Sequence, residues 1–584
     1  MLDESQASGR IGGGCFEMLR FVTNLTAALL IVTACTPTAT TPTPSSSPGE
    51  KPVPGGTLVR AVTGDPKSFN PILVTDTTSY RYIEAVYQDL LRRDEKTGQL
   101  AGRLAEKFGL SADGLTLTYT LRDGLKWSDG TPFTGEDYKY TAEATMRSKR
   151  TTRQNVFQNV LGAQDYKEGK TDEIKGIQVK DGGKTIVITF TKTLCTAIED
   201  LSGAGAGYML PSKHFKQYFD PRTTDTSKTI DDNPLNNAPP ASMGPWIFKD
   251  FKPGDRATYT KNPNYYLGAP LIDEFIIKVY SDAAAIKAAL IVGEVSFAAV
   301  EPKDWDELSK IENLKGFEFA DFGWNYLAWN ADSAKAPWLA NKLVRQALTY
   351  GLNRQAIIDK IVFGHGKLVY AAQPPANAAY KDDDLNKYPF DTQKAKQLLE
   401  QAGAKMGTDG VYRWTDGQPM KMRIETNQPN TVRETILQLA QEQYKQIGVS
   451  IDPQLMSFNT LLERIRCCGN DVDGWISGFT GLGPDPDQES LWHSRHIAPN
   501  EFNRWRYRNP TVDQTLDQIH SGPDCNEATR NKLAHDVDKQ LNQDVPVIWL
   551  YSGNNLIFGQ KNIQNFAPTS VSTIYNIEQW WIKK

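Results

Sequence analysis

Residues 111–138 read SADGLTLTYTLRDGLKWSDGTPFTGEDY, and this stretch predicts a β-hairpin that leads into a helix. From Leu115 to Leu121 apolar residues alternate with threonines, which is the period of a half-buried strand. Asp-Gly pairs, which favour tight turns, stand at residues 113–114, 123–124 and 129–130. Thr134, followed by Gly-Glu-Asp, is typical of a helix N-cap with acidic residues in the first turn. Nothing in the stretch is arranged for bond-breaking chemistry, so its local interpretation is structural.

The length and composition of the chain limit its fold and its partners. At 584 residues the chain exceeds what a single hydrophobic core accommodates, so two or three lobes are expected. Apolar residues make up 39 %, with 13 Trp, 23 Tyr and 23 Phe, which favours large buried cores over general disorder. Lys plus Arg number 65 against 69 Asp plus Glu, and no long basic run is present. This balance argues against nucleic acid as a partner.

Residues 1–34 have the features of a secretory signal peptide. Arg20 is followed by fourteen uncharged, mostly apolar residues and then by Cys35, a run too short to span a bilayer comfortably. Residues 1–17 do not resemble a signal n-region, so Met18 is a candidate true start. The run ends in VTAC, which resembles a bacterial lipobox and predicts lipidation of Cys35. The alternative is a plain signal peptide that is cleaved elsewhere.

Residues 35–55 form a tract rich in Thr, Pro and Ser that cannot bury enough surface to fold. Such a segment is a stiff, extended tether of roughly 3 Å per residue. The tract therefore predicts a folded domain that is tethered to a membrane through the lipid on Cys35 and can reach a partner at a distance from the membrane.

Several blocks of the chain resemble one known family in their order and spacing. They are residues 105–107 with 111–138, Asn70-Pro71, Tyr87 to Leu91, Met243 to Trp246, Asn262 to Tyr266 and Phe322 to Asn330. These blocks are similar to those of the family 5 extracellular solute-binding proteins, the oligopeptide, dipeptide and nickel receptors of bacterial ABC importers. The resemblance implies an α/β, two-lobed periplasmic-binding-protein-like fold (type II, cluster C) with an additional inserted subdomain. It assigns residues 56–99, 241–322 and 552–584 to lobe I, 100–240 to the inserted subdomain and 323–551 to lobe III.

Four cysteines lie beyond the processed segment: Cys195, Cys467, Cys468 and Cys525. An even number outside the cytosol is compatible with disulfides. We predict that Cys467 or Cys468 pairs with Cys525, and the spacing leaves other connectivities and free thiols open.

The residues make no positive case for catalysis or for a bound metal or cofactor. His493 and His496 stand three apart and would face one metal on a helix, but no third ligand cluster accompanies them. This favours surface histidines. We therefore expect a binding protein that is not an enzyme, with a secreted hydrolase as the remote alternative.

The resemblance implies a ligand cleft between the lobes that closes by a hinge. The family's peptide-binding members neutralise the terminal ammonium of the peptide with an Asp in a loop patterned Gly-Trp-x-x-Asp. Here residues 478–487 read GFTGLGPDPD. Phe479 keeps the aromatic wall, but Leu482 takes the place of the Asp.

The missing Asp leaves alternatives open. Asp485, or Asp76 from the opening loop, is a candidate replacement, because a buried unpaired ammonium is costly. Asp485 and Asp487 are equally candidates to cap a helix at residues 488–492. Without any anchor the ligand would be a blocked or cyclic peptide, an opine-like compound, a saccharide or a nickel chelate.

A residue-by-residue match to the family predicts a set of ligand-binding positions. They are Thr75, Asp76, Thr77, Trp324, Asn325, Tyr326, Gly478, Phe479, Thr480, Gly481, Leu482, Asp485, Trp549 and Tyr551. Aromatic side chains at such positions suit packing on the faces of peptides and sugars. Each position taken singly is also a candidate core residue.

The resemblance implies a monomeric lipoprotein of the cell envelope, in the periplasm or on the outer face of the cytoplasmic membrane. It captures a small solute, by family default a peptide, and delivers it to the permease subunits of an ABC transporter. A receptor for a non-peptide solute and a sensory receptor that signals instead of transporting are the alternatives.

Overall fold

The computed structural model describes residues 51–94, 100–202, 208–467, 471–497, 499, 501–570 and 572–584, with no account of the Cys467 side chain. The predicted signal peptide, the lipidation site Cys35, most of the tether and Cys468 lie outside the described residues.

The names lobe I, inserted subdomain and lobe III denote the segments predicted from the sequence. The chain begins in lobe I and passes into the inserted subdomain. Its first elements are β1 (Thr57–Val62), α1 (Thr77–Ile83), β2 (Leu91–Arg93) and β3 (Leu100–Gly102). The inserted subdomain follows with β4 (Ala105–Leu110), β5 (Thr116–Leu121), α2 (Gly135–Arg147), α3 (Gln154–Phe157), α4 (Ala163–Lys167), β6 (Ile177–Lys180), β7 (Thr185–Thr189), α5 (Ala197–Ser202) and α6 (Ser212–Phe215). Strands β4 to β7 form an antiparallel sheet in the order β4-β5-β7-β6.

Residues 111–138 form the centre of this subdomain. Strand β5 alternates between half-buried and buried residues, as its sequence predicts. Helix α2 begins with a capping box: the Thr134 hydroxyl accepts from the Glu136 N–H at 3.2 Å, and the Asp137 carboxylate accepts from the Thr134 N–H at 3.0 Å. Gly135 lets the helix approach the sheet, because a Cβ there would lie 2.9 Å from Ile186. The predicted strand and N-cap are confirmed.

The chain then returns to lobe I through β8 (Trp246–Lys252), β9 (Arg256–Lys261), β10 (Glu274–Val279), α7 (Ala283–Ile291), β11 (Phe297–Ala299), α8 (Trp305–Leu308) and β12 (Leu314–Ala320). Strand β1 pairs in parallel with β10 and β11, and β9 and β8 extend the sheet antiparallel beyond β10. The core of lobe I is aromatic, with Trp246, Phe275, Phe297 and Trp580 all buried.

Lobe III follows as the larger α/β unit. Its elements are β13 (Trp324–Trp329), α9 (Lys342–Tyr350), α10 (Arg354–Lys360), β14 (Gly366–Lys367), α11 (Thr392–Gln401), β15 (Lys405–Met406), β16 (Tyr412–Arg413), β17 (Lys421–Gln428), α12 (Thr431–Gln446), β18 (Ser450–Ser457), α13 (Phe458–Cys467), β19 (Gly474–Phe479), α14 (Glu489–Trp492), α15 (Pro510–Ser521) and α16 (Glu527–Asp544). The last elements are β20 (Val547–Gln560), β21 (Ile563–Gln564) and β22 (Trp581–Ile582). The βαβ order predicted for residues 420–455 is present as β17, α12 and β18, with the two strands parallel.

One long strand passes from lobe III into lobe I. The first half of β20 pairs with β13, and the second half pairs with β11 and β12. The short segment between β12 and β13 makes a second connection between the same lobes. Two strand connections of this kind are suited to hinge motion between lobes.

The disulfide prediction is wrong. Cys525 pairs with Cys195, at a sequence separation of 330, and not with Cys467 or Cys468. Cys195 precedes α5 in the inserted subdomain, and Cys525 lies between α15 and α16 of lobe III. The Cys195 N–H also donates to the His520 carbonyl at 2.9 Å. The pairing follows from packing of two distant segments, which cysteine spacing cannot reveal.

Candidate functional site

A cavity of about 420 Å³ lies where lobe I, the inserted subdomain and lobe III meet. Lobe I contributes Tyr80, Asp89 and Glu578 to its lining, among others. The inserted subdomain contributes Thr196, Glu199, Asp200 and Tyr208, and lobe III contributes Leu482, Asp485, Asp487 and His520. A cavity of this size with a few converging polar groups is the usual form of a small-ligand site.

The predicted 478–487 loop reaches the cavity. The Leu482 N–H donates to the Phe322 carbonyl at 2.7 Å, which ties the loop to the crossing between β12 and β13. Gly481 and Gly483 have φ values of 65° and 79°, a conformation that glycine adopts without strain. Of the predicted ligand positions, Gly481, Leu482 and Asp485 line the cavity.

The carboxylates of this loop already have partners. Asp485 accepts two hydrogen bonds from the Arg530 guanidinium, at 2.6 and 2.9 Å. Asp487 uses one oxygen to accept from the Glu489 N–H at 2.9 Å, at the start of α14, and lies 2.7 Å from His520 Nδ1 through the other. Burial opposes the charge on His520, yet the neighbouring Asp487 carboxylate raises its pKa to about 9. The loop acids therefore lie in ion pairs.

Asp200, on α5, faces the same end of the cavity from the inserted subdomain. Its Oδ2 accepts a hydrogen bond from the Thr196 hydroxyl at 2.5 Å. Burial raises the pKa of the Asp200 carboxyl to about 7, and repulsion from Asp487 and Asp485 acts in the same direction. Asp200 is thus a carboxylate whose charge the protein compensates poorly.

A second poorly compensated carboxylate, Asp89, lies in the lobe I part of the lining. It is 8 % exposed, and its Oδ2 lies 3.6 Å from the Arg103 guanidinium. Within the described residues its Oδ1 has no hydrogen-bond partner. Burial raises the pKa of Asp89 to about 7. Nearby, the hydroxyls of Tyr80 and Tyr208 lie 2.6 Å apart.

The predicted residues of the opening loop, Thr75, Asp76 and Thr77, do not belong to the cavity lining. The Asp76 carboxylate accepts from the Ser79 N–H and hydroxyl, each at 2.8 Å, and so caps α1. Thr75 is half-buried, Thr77 is exposed, and neither belongs to the cavity lining.

The predicted aromatic positions form a core behind the cavity. Trp324, Tyr326 and Trp549 are 1 %, 1 % and 3 % exposed and pack with Trp492 and Trp505. The Trp324 indole donates to the Ala372 carbonyl at 2.7 Å. Phe479 and Leu482 of the 478–487 loop pack against this cluster.

The remaining predicted positions surround that aromatic core. Phe479 stacks on Tyr326, with ring centroids 5.8 Å apart. Asn325 pairs with Gly478 in the β13–β19 ladder, Thr480 is exposed, and Tyr551 is buried beside β13. None of these five predicted positions, Asn325, Gly478, Phe479, Thr480 and Tyr551, belongs to the cavity lining. Their predicted role in ligand binding stays a prediction.

Residues 99–497 match the family model described as "Bacterial extracellular solute-binding proteins, family 5 Middle". The chain belongs to this family. It is 28 % identical over 559 residues to the oligopeptide-binding protein AppA of Bacillus subtilis, covering 95 % of this chain and 97 % of that protein. It is also 28 % identical over 513 residues to haem-binding protein A of Haemophilus influenzae, covering 86 % and 88 %.

Solved structures of family 5 proteins share the fold. The Bacillus subtilis AppA structure, in complex with a nonapeptide, superposes with a TM-score of 0.81 at 27 % identity and covers 91 % of this chain and all of that one. Lactococcal OppA, complexed with an endogenous peptide in the closed conformation, superposes with a TM-score of 0.79 at 22 % identity. The predicted family and the predicted two-lobed α/β fold are confirmed.

Two further findings concern only the residues that the structure describes. No helix among them is both long and apolar enough to cross a bilayer. Nor do they contain three or more His, Cys, Asp or Glu side chains grouped for a metal ion.

The prediction that His493 and His496 lie at the surface is wrong, because both are buried. His496 lies between Glu489 and Glu501, at 2.7 and 2.9 Å.

Sequence reasoning missed most of the polar lining, including Asp89, Asp200 and His520. These residues come from three distant segments. Asp89 lies within the family-like block Tyr87 to Leu91, but nothing in that block marks it as a lining residue, and Asp200 and His520 belong to none of the blocks. Cys195, five positions before Asp200, was one available indication of this lining, because a cysteine outside the cytosol commonly forms a disulfide. Its partner, Cys525, follows His520 by five positions and would have placed both polar residues together.

Proposed function

We propose that this family 5 protein captures a peptide in the cavity between its lobes and delivers it to the permease subunits of an ABC importer. The observation that carries the proposal is the cavity itself, with its converging carboxylates and donors, in a fold shared with peptide-bound AppA. Several relatives are also named as peptide-binding proteins of ABC transporters. In this proposal the protein binds and releases its ligand without chemical change.

The mixture of hydrogen-bond donors and acceptors in the lining supports a peptide as the ligand. The cavity contains both hydrogen-bond acceptors, such as Asp89 and Asp200, and donors, such as Gln88 and His520. A peptide presents both kinds of group along its backbone, and its side chains need roomy surroundings. Closure of the two lobes around it would give the transporter a surface that exists only in the loaded form.

The proposal includes anchoring of the protein on the outer side of the membrane through lipid on Cys35. Its support is the VTAC sequence followed by the Thr, Pro and Ser tract. Cys35→Ala is expected to release the protein from membranes, as judged by fractionation and immunoblotting. Membrane retention of that variant would contradict the anchor.

Native mass spectrometry of the purified protein, followed by denaturation, tests the proposed ligand class. A ladder of short peptides released on denaturation is the expected result. A single non-peptide mass, such as a saccharide, a metal chelate or haem, would overturn the peptide proposal.

A further inference from the structure

The carboxylates that line the cavity differ in their partners. Most form ion pairs, as Asp485 does with Arg530 and Asp487 with His520. In the described part of the chain, the lining carboxylates with no cation within 4 Å are Asp200 and Glu578. A carboxylate at such a place needs a counter-charge from elsewhere, because burying an unpaired charge is costly.

Asp200 is the less compensated of the two. The arginines Arg103 and Arg92 act on the Glu578 charge. Two cations act on Asp200 from farther away, His520 and Arg530, but each already pairs with a loop acid, His520 with Asp487 and Arg530 with Asp485. Asp485 and Asp487 face Asp200 from lobe III and repel its charge. The result is a net deficit of positive charge at this end of the cavity.

The geometry of Asp200 leaves one oxygen available. Thr196 donates to Oδ2, and within the described residues nothing donates to Oδ1. Asp200 is half-buried, and its exposed part belongs to the cavity lining. Oδ1 is therefore the acceptor that α5 offers to a ligand.

A second, independent observation at the same end also indicates a ligand. His520 is 8 % exposed and lines the cavity, and in the described structure its Nε2 has no hydrogen-bond partner. Its Nδ1 lies 3.4 Å from the Thr196 hydroxyl that donates to Asp200. Asp200 and His520 therefore both contact the Thr196 hydroxyl, and each has a further polar atom with no partner among the described residues.

We propose that Asp200 binds an ammonium group of the ligand, and that it does so from the inserted subdomain because Leu482 occupies the expected position of a loop carboxylate. The inference rests on the proposed peptide capture. A peptide carries an ammonium at its free N-terminus or on a lysine side chain. The His520 Nε2–H would donate to a carbonyl oxygen next to that group.

The test uses three matched sets of synthetic nonapeptides, with ligand-free purified protein. The first set has free N-termini and no lysine or arginine. The second has the same sequences with acetylated N-termini, and the third is acetylated with one lysine added. Dissociation constants are measured for the wild type, Asp200→Asn, Asp200→Glu and the control Asp165→Asn, whose carboxylate is exposed on α4 of the same subdomain.

The expected result is that the wild type and Asp165→Asn bind peptides with an ammonium group more tightly than the acetylated set without lysine. The first and third sets show whether the terminal or the lysine ammonium is used. Asp200→Asn should lose about 30-fold in affinity for the preferred set, the loss typical of a charge-assisted hydrogen bond. Asp200→Glu should keep most of the preference, since it keeps the charge.

Two outcomes would overturn the inference in distinguishable ways. If folded Asp200→Asn keeps the wild-type preference for ammonium, or if the wild type has none, then Asp200 is not the counter-charge and peptide capture stands. If the wild type binds no set, peptide capture itself fails, and the inference fails with it. Asn retains an acceptor for Thr196, and circular dichroism with thermal melting verifies the fold of each variant.

Discussion

The 478–487 loop of lobe III and helix α5 of the inserted subdomain bring carboxylates to one cavity, but in different states. Asp485 and Asp487 of the loop are held by Arg530 and His520. Asp200 of α5 lines the cavity with a hydroxyl partner on Oδ2 and no donor to Oδ1 among the described residues. The difference teaches that the position of an acid in a motif does not decide whether it is available to a ligand. Its surrounding partners do.

The largest effect is expected from removing the disulfide that joins the segment before α5 to lobe III. In Cys195→Ser with Cys525→Ser, the inserted subdomain and lobe III are no longer joined covalently. We expect the free energy of unfolding to fall by about 4 kcal/mol, because the unfolded chain gains freedom over a long loop. Ligand should also dissociate faster, since α5 can move away from the loop.

Urea unfolding and stopped-flow ligand release measure these two effects. A reductant should lower the urea midpoint of the wild type and leave the double variant unchanged. Equal sensitivity of both proteins would show that the relevant thiols lie elsewhere.

The second prediction concerns the loop alone. Asp485→Ala leaves the Arg530 guanidinium buried without its carboxylate, which should lower the free energy of unfolding by about 3 kcal/mol. Asp165→Ala, which removes only a surface pair with Lys170, should have almost no effect. If Asp485→Ala instead unfolds like the wild type and loses ligand affinity, the loop acid is the ligand anchor that the sequence suggested.

Local patterns predicted local structure well. The strand β5 and the capping box at Thr134 depend on residues within a few positions of each other, so their spacing was sufficient. The family's loop pattern predicted ligand-binding roles for Leu482 and Asp485, and both residues line the cavity, although those roles stay a prediction. The order of the family blocks along the chain indicated the two-lobed fold before any contact was known.

Non-local features could not be predicted in this way. The Cys195–Cys525 pairing and the approach of Asp200 to His520 join segments more than 300 residues apart. The aromatic positions show the same limit, because a Trp such as Trp324 suits a cleft wall and a core equally by type. Only the packing shows that Trp324 is 1 % exposed.

A third prediction concerns the pH dependence of ligand binding at Asp200. Burial raises the pKa of Asp200 to about 7, so its carboxyl is largely protonated and neutral below that value. Affinity for a peptide with the preferred ammonium should therefore rise with pH and be about tenfold higher at pH 8 than at pH 5.5. Asp89 has a pKa raised to a similar value and titrates in the same range.

The Asp200→Asn variant assigns that pH dependence. In this variant the change of affinity with pH that is due to Asp200 should disappear, and any change due to Asp89 should remain. Without ligand the sign is opposite: the folded carboxyl holds its proton up to about pH 7, whereas the unfolded one loses it near pH 4, so stability falls as pH rises between them. An unchanged binding profile in Asp200→Asn would place the titrating group elsewhere.

The smallest effect is expected when the carboxylate is moved from α5 to the 478–487 loop. Leu482→Asp, made in the Asp200→Asn background, puts an acid on the lobe III side of the same cavity, where Leu482 is half-buried. It should recover about threefold of the lost preference for an ammonium, because a charge at imperfect distance still attracts. Leu482→Asn is the matched control and should recover nothing. If Leu482→Asp recovers no more of the ammonium preference than Leu482→Asn, the ligand ammonium lies within reach of α5 alone. The two faces of the cavity would then bind different parts of the peptide.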